Sequence, residues 1–397
     1  MPASINITRS EFESRAARLL EFIRAKRLSG IVLFNNYYIL YFSGFAFIPT
    51  ERPISFIMNA RGEKSMFVPR LELEHAKSET GFERVDCYVE YPSDPHPAEI
   101  LKRVLQEMGI VGNMGADNDG YPWILGYRGP SLTELTGGTL TRANGFIEDM
   151  MMIKSEAEAA LIRESVKWGN LAHRLLQRYT RVGATETEVS MRASQEATLA
   201  MLSTLGSLYR SQSMFSDGAS AGYRGQIGRN AAIPHALANN IAFQPGDVLV
   251  TGASAAMWGY DSELERTMIL GRPSDSQHRM FDHMKKAQEI AFEALRPGAK
   301  CADVDKAVRK YYEDNDLSPF WKHHTGHAIG LRYHEGPFLD AGDQTTIKPG
   351  MVFTIEPGLY AEDMGGFRHS DTVLITDAGM DMLTYYPRDL ESLIIPV

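Results

Sequence analysis

The chain has 397 residues, 44% hydrophobic and 23% charged, with a formal net charge of -9 and only two cysteines, Cys87 and Cys301. Such a length predicts two domains, and the acidic surplus argues against a nucleic-acid partner while suiting small cationic or zwitterionic ligands. Two cysteines make no disulfide framework, no apolar run has the length of a membrane span, and the first eighteen or so residues lack a signal-peptide core, so a cytoplasmic protein without membrane or nucleic-acid contacts is expected.

An amphipathic pattern over Ser10–Ala25 predicts a helix, followed by a buried strand over Gly30–Phe34. Further strands are expected at Ser55–Met58, Ser65–Val68 and Met114–Asp117, with a helix at Pro97–Met108. This alternation predicts an α/β domain over residues 1–150. Met150–Met152 is expected to pack at the junction. Ser155 followed three residues later by Glu158 fits a capping box, opening a helix that runs to about Tyr179. More helix is expected at Thr185–Leu202 and Ser276–Leu295. From Ala231 on, strands and turns alternate, punctuated by Pro-Gly pairs at 245–246, 297–298, 349–350 and 357–358. The second domain is set at 151–397.

The residues suited to chemistry are concentrated in that second domain. In Gly259-Tyr260-Asp261-Ser262-Glu263-Leu264-Glu265-Arg266-Thr267, Glu263 and Glu265 share one face of a strand, because residues i and i+2 point the same way. Carboxylates on an inner sheet face need a metal, a proton or a cation. Taken alone, such a pair usually lies on a solvated edge strand, here with Arg266 as neighbour. His235 follows Ile233-Pro234 and by itself fits a loop filler as well as a general acid/base. His323, His324 and His327 lie in Lys322–Gly330; His334 heads His-Glu-Gly-Pro. Glu356 ends an apolar strand before Pro357-Gly358, where an acidic residue rarely lies without a partner. Phe367-Arg368-His369-Ser370-Asp371 follows. Trp258 and Phe215 are candidates to line a pocket or to fill the core.

These motifs, in this order, resemble the creatinase/aminopeptidase P/prolidase family. The resemblance covers most of the chain and is strongest from Ala231 to Thr376. It implies an N-terminal creatinase-like α/β domain, a C-terminal pita-bread domain of α+β character, and a homodimer. The family's metallopeptidases hold two metal ions with two Asp, one His and two Glu. Those positions fall on Gly252, Glu263, His327, Glu356 and Ser370, so two of the five ligands are absent. A dinuclear site is not expected; no cofactor, or at most a single divalent metal, is.

Leu264-Glu265-Arg266-Thr267 resembles creatinase, whose residues match Glu265 and Glu356 as binders of a guanidinium and His235 as proton carrier. Arg52 resembles the arginine that binds the substrate carboxylate across the dimer. The function expected from this is metal-independent cleavage of a C–N bond in a small guanidine, amidine or amide. His235, Glu265 and Glu356 would be catalytic; Arg52, Glu263, His327 and His334 would bind substrate. The rival enzyme is an Xaa-Pro metallopeptidase with a degenerate metal site. A third reading is a pseudo-enzyme that binds without catalysis.

Overall fold

The structure is a computed structural model that describes residues 5–213 and 217–397; Phe215 lies outside them. The described residues divide into two compact units, Ile7–Met151 and the rest, from Met152 onward together with Ile5 and Asn6.

The N-terminal unit is built on a six-stranded sheet in the order Arg84–Tyr88, Lys64–Pro69, Ser55–Asn59, Gly30–Leu33, Asn113–Ala116, Thr139–Arg142. The central strand Gly30–Leu33 is buried along its whole length, as expected for a strand covered on both faces. Val32, Ile57, Phe67 and Tyr88 pack with Leu101, Val104 and Leu105 of the helix Pro97–Glu107, which presents its apolar stripe to the sheet. Met150 and Met151 are buried in this unit.

The C-terminal unit centres on an eight-stranded sheet. Its path runs Glu335–Leu339, Gly326–Ala328, Val352–Ile355, Ser370–Thr376, Leu264–Glu265, Gly252–Ala255, Ala219–Gly222, with Gly379–Met382 also paired to Ser370–Thr376. A three-stranded sheet (Ile394–Ile395, Thr267–Leu270, Val248–Val250) and a hairpin (Gly358–Ala361 with Gly365–Arg368) complete the β-structure among the described residues. Long helices accompany it at Glu156–Tyr179, Glu186–Leu205, Asp275–Ala294 and Cys301–Asp314. The first of these opens with the predicted capping box, the Ser155 hydroxyl accepting from the Glu158 N–H and the Glu158 carboxylate from the Ser155 N–H.

Register decides what meets at the sheet centre. Glu265 lies opposite Ser370, Leu264 opposite both Asp371 and Ala253, Ile355 opposite Asp371, and Ala328 opposite Phe353. Leu264–Glu265 is thus an interior strand with a neighbour on each side, and the edge-strand reading of Glu263 and Glu265 does not hold. Alternation sends Arg266 to the opposite face. There its guanidinium donates to Asp371 Oδ1 at 2.7 Å and to the carbonyls of Ser370, Pro387 and Tyr386. Among the described residues no helix is long and apolar enough to cross a membrane.

Candidate active site

Glu263, His327 and Glu356 converge from three segments of the central sheet, and one ligand atom from each lies within 4.8 Å of the others. Glu263 precedes the strand Leu264–Glu265, His327 sits in Gly326–Ala328, and Glu356 follows Val352–Ile355. The His327 ring donates from Nδ1 to the Ala328 carbonyl at 2.9 Å. A carbonyl can only accept, so Nδ1 carries a proton, and Nε2 is the nitrogen that faces the cluster and is left for an ion. Nε2 stands 3.2 Å from Glu356 Oε1 and 4.0 Å from Glu263 Oε2, yet is aligned for a hydrogen bond with neither. Ser370 Oγ donates to Glu263 Oε1 at 2.5 Å and fixes that carboxylate.

Packing acidic groups with an imidazole in a closed site shifts all three. Burial, helped by the charges of Glu356 and Glu265, pushes the Glu263 carboxyl up to about 8. Burial alone would lower His327; contact with Glu356 and the charge of Glu263 outweigh it and raise the ring to about 9. Glu356 is held below the usual carboxylate range despite its burial, because His327 sits against it.

Two carboxylates, one imidazole and a buried, unaligned Nε2 are the donor set of a catalytic divalent site with open positions. One ion fits. At the positions where the family's other two ligands fall, Gly252 has no side chain and Ser370 is engaged with Glu263. A Cβ on Gly252 would meet only Glu265 Oε1, at 3.7 Å. The space that a second ion would share with these positions instead adjoins a guanidinium cluster. Arg368 embraces Glu265 through Nε and Nη2, the latter at 2.8 Å, and its Nη1 donates to Tyr360 OH at 2.9 Å. Arg368 Nε also lies 3.9 Å from Glu356 Oε2. Arg224 Nη2 adds a third donor to Glu265, at 2.9 Å.

This arrangement corrects two expectations. Glu265 does not present a free carboxylate to a cationic ligand: both its oxygens are already held by protein guanidiniums. The expectation of a site without a metal also fails, against the buried Glu/His/Glu trio and the relatives described below. Arg368 and Arg224 are site residues that the sequence reading misses. A cation two residues from Ser370 on the same face is a usable signal for Arg368; Arg224, in a loop, gives none.

The remaining expected residues stand at different removes from the trio. His334 is partly exposed and stacks on His327 with ring centroids 3.7 Å apart; partial burial of its ring, with the charge of His327 second, holds it down to about 4. His235 is exposed in a turn, close enough for its charge to act on His334. Its neighbour Pro234 accepts from Arg368 Nη1 at 3.5 Å. Arg52 belongs to the N-terminal unit and is held there by Glu90, at 2.6 and 3.2 Å, and by Glu51 at 2.6 Å. His323 supports the site from behind, its Nε2 sharing a 2.7 Å hydrogen bond with Tyr360 OH. His369 is buried beside Arg266 and Arg388 and held well below its ordinary pKa by that burial; it accepts the Thr267 N–H and is structural. Trp258 donates to the Leu208 carbonyl at 3.1 Å, under the Arg210 guanidinium.

Comparison with known proteins fits this geometry. Residues 160–377 match the family model described as metallopeptidase family M24, and residues 15–153 match the creatinase/prolidase N-terminal domain. The Xaa-Pro dipeptidase of Pyrococcus furiosus is 27% identical over 380 residues, covering 95% of this chain and 99% of its own. A probable dipeptidase, PepE, of Mycobacterium tuberculosis is 28% identical over 371 residues, with 93% of each chain covered. The crystal structure of dipeptidase PepE from Mycobacterium ulcerans superposes with a TM-score of 0.82 at 26% identity, covering 99% of this chain and all of that one. The N-terminal creatinase-like and C-terminal pita-bread domains are as expected. The expected guanidine or amidine hydrolase of the metal-independent branch is overturned, since these relatives are dipeptidases.

Proposed function

The chain belongs to metallopeptidase family M24, and from that premise we propose that it is a dipeptidase of the Xaa-Pro type whose site holds one divalent metal ion instead of two. The observation that carries this reading is the buried trio of Glu263, His327 and Glu356 around an unaligned imidazole nitrogen. These three residues would hold the ion. When bound, such an ion polarises a scissile carbonyl and lowers the pKa of a coordinated water.

The other residues orient and balance. Ser370 fixes Glu263, and the Ala328 carbonyl fixes the His327 tautomer. Arg368, buried and tied to Glu265 and Tyr360, keeps a permanent positive charge beside the trio. His334, neutral at pH 7 and stacked on His327, is placed to touch the substrate, to accept a proton from the attacking water and to hand it on to the leaving amine. A homodimer is part of the proposal and is checked by light scattering.

The test is metal content together with turnover. Protein stripped by chelator and reloaded with Mn, Co or Zn should bind one equivalent tightly by mass spectrometry of the bound metal, and should cleave Ala-Pro only when loaded. Full activity after complete stripping would refute the reading, as would two tightly held equivalents.

A further inference from the structure

We propose that Arg224 is the specificity residue that anchors the free carboxylate of the substrate. This rests on the dipeptidase reading above and names which end of the peptide the site recognises. The starting point is charge. Glu265, with a side chain only 4% exposed, is already matched by the equally buried Arg368 through a two-point embrace. Arg224 is therefore a second cation on a carboxylate that needs one. Its side chain is 48% exposed, so its guanidinium reaches Glu265 with one nitrogen and turns the rest outward.

Counting formal charges gives the same answer. Three carboxylates (Glu263, Glu265, Glu356) face two guanidiniums, and a divalent ion on the trio leaves the loaded site with a net single positive charge. That surplus favours an anionic group on the substrate. A chain of contacts joins Arg224 to the trio. Arg224 touches the carboxylate that Arg368 holds, and Arg368 is 3.9 Å from Glu356 of the trio. In a dipeptide the carboxylate lies one residue, at most about 3.6 Å of backbone, beyond the scissile bond.

The loop is built to present this side chain. Arg224 adopts φ of 51°, the left-handed region that costs a non-glycine residue energy. Next to it, Gly225 donates its N–H to Glu186 Oε2 at 2.6 Å. The buried Glu186 also accepts from the N–H groups of Asn239 and Ile241. Gln226 Oε1 accepts from Arg224 Nη2 at 3.3 Å and sets the side chain's direction. Arg52, the arginine expected from the sequence to bind a carboxylate, is occupied by Glu90 and Glu51.

The experiment compares an acid with its neutral amide on the metal-loaded full chain. Calorimetric Kd values for N-acetyl-L-proline and N-acetyl-L-prolinamide should differ at least tenfold in favour of the acid. In Arg224→Met that ratio should fall to about one, in Arg224→Lys it should recover in part, and in Arg52→Met it should stay as in the unaltered protein. In parallel, KM for Ala-Pro should rise at least tenfold in Arg224→Met with kcat changed much less. The inference is overturned if Arg224→Met keeps the acid preference, if the unaltered protein shows none, or if Arg52→Met abolishes it. Should Arg224→Met fail to fold, an unchanged ratio in Arg224→Lys together with a collapse of the ratio in Arg52→Met overturns it equally. If no loaded form cleaves Ala-Pro but the acid preference depends on Arg224, the dipeptidase reading fails and the anchor stands.

Discussion

Replacing Glu265 with glutamine keeps the shape of the side chain and deletes one charge. Arg368 is then left 3% exposed with no carboxylate within hydrogen-bond distance. Its other contacts are Tyr360 OH, the Pro234 carbonyl and, 3.9 Å away, Glu356 Oε2. Removing one partner of a buried ion pair typically costs about 3–5 kcal/mol, since the remaining charge stays desolvated. Arg224 faces the same oxygen but is half-exposed, so its share is that of a surface pair, about 1 kcal/mol or less. A double-mutant cycle by urea denaturation separates the two. Glu265→Gln with Arg368→Met should show a coupling of about 2–3 kcal/mol, the upper part of the range for residues in one network. Glu265→Gln with Arg224→Met should show less than about 1 kcal/mol. Equal couplings, or a loss below about 1 kcal/mol on Glu265→Gln alone, would refute the view that Glu265 is chiefly the counter-ion of Arg368.

Three further outcomes follow from buried charges elsewhere in the unit. Burial raises the Asp261 carboxyl to about 6, with only a 3.2 Å hydrogen bond from Ser254 Oγ to favour ionisation. A raised acid pKa means the folded state holds the proton longer than the unfolded chain, so Asp261 destabilises the protein at pH 7 and not below about pH 4. Asp261→Asn should therefore stabilise by up to about 3 kcal/mol at pH 7 and by less than about 1 kcal/mol at pH 4, as read from melting curves. His173 is the opposite type, a base that burial holds down to about 3 while it bonds Thr251 Oγ1 at 2.7 Å. Between pH 6.5 and 3 the unfolded chain takes the proton and the folded one does not, so stability is intact above 6.5 and falls with pH. His173→Gln should flatten that fall by up to about 1.4 kcal/mol per pH unit in denaturation series. Lys154 and Glu335 form a 2.8 Å pair with side chains 1% and 2% exposed. Lys154→Met should cost about 3–5 kcal/mol by denaturation, and a loss under about 1 kcal/mol would show that Glu335 finds its charge balance elsewhere.

What is legible in the sequence and what is hidden divide along the range of the forces involved. Local signals carry far. The helix expected over Ser10–Ala25 is Arg9–Ala25, the one opened by Ser155 ends at Tyr179 as expected, and the strands near Ser55 and Ser65 lie within a residue or so of their expected bounds. The strand Arg84–Tyr88 escapes because it is a half-buried edge with no clean alternation, and the helix Asn36–Ser43 because it is buried on nearly every side and shows no 3.6-residue period. In the site, period two correctly draws Glu263 and Glu265 to the same cluster. It cannot say which cation meets them, since Arg368 is 103 residues from Glu265 in the chain. The loss of family ligands at Gly252 and Ser370 looks, in sequence, like a vacancy for a cationic substrate, whereas the protein's own arginines already fill that electrostatic role. Strand register supplies the missing rule. Glu265 pairs with Ser370, so a side chain two residues before Ser370 rises on the same face beside Glu265. The counter-ion of a buried glutamate opposite a serine is therefore to be sought first among the residues flanking that serine, and only afterwards in a ligand. Arg224 lies beyond even that rule, because a left-handed loop residue is aimed by the hydrogen bonds of its neighbours, here those of Glu186, and not by any repeat in the chain.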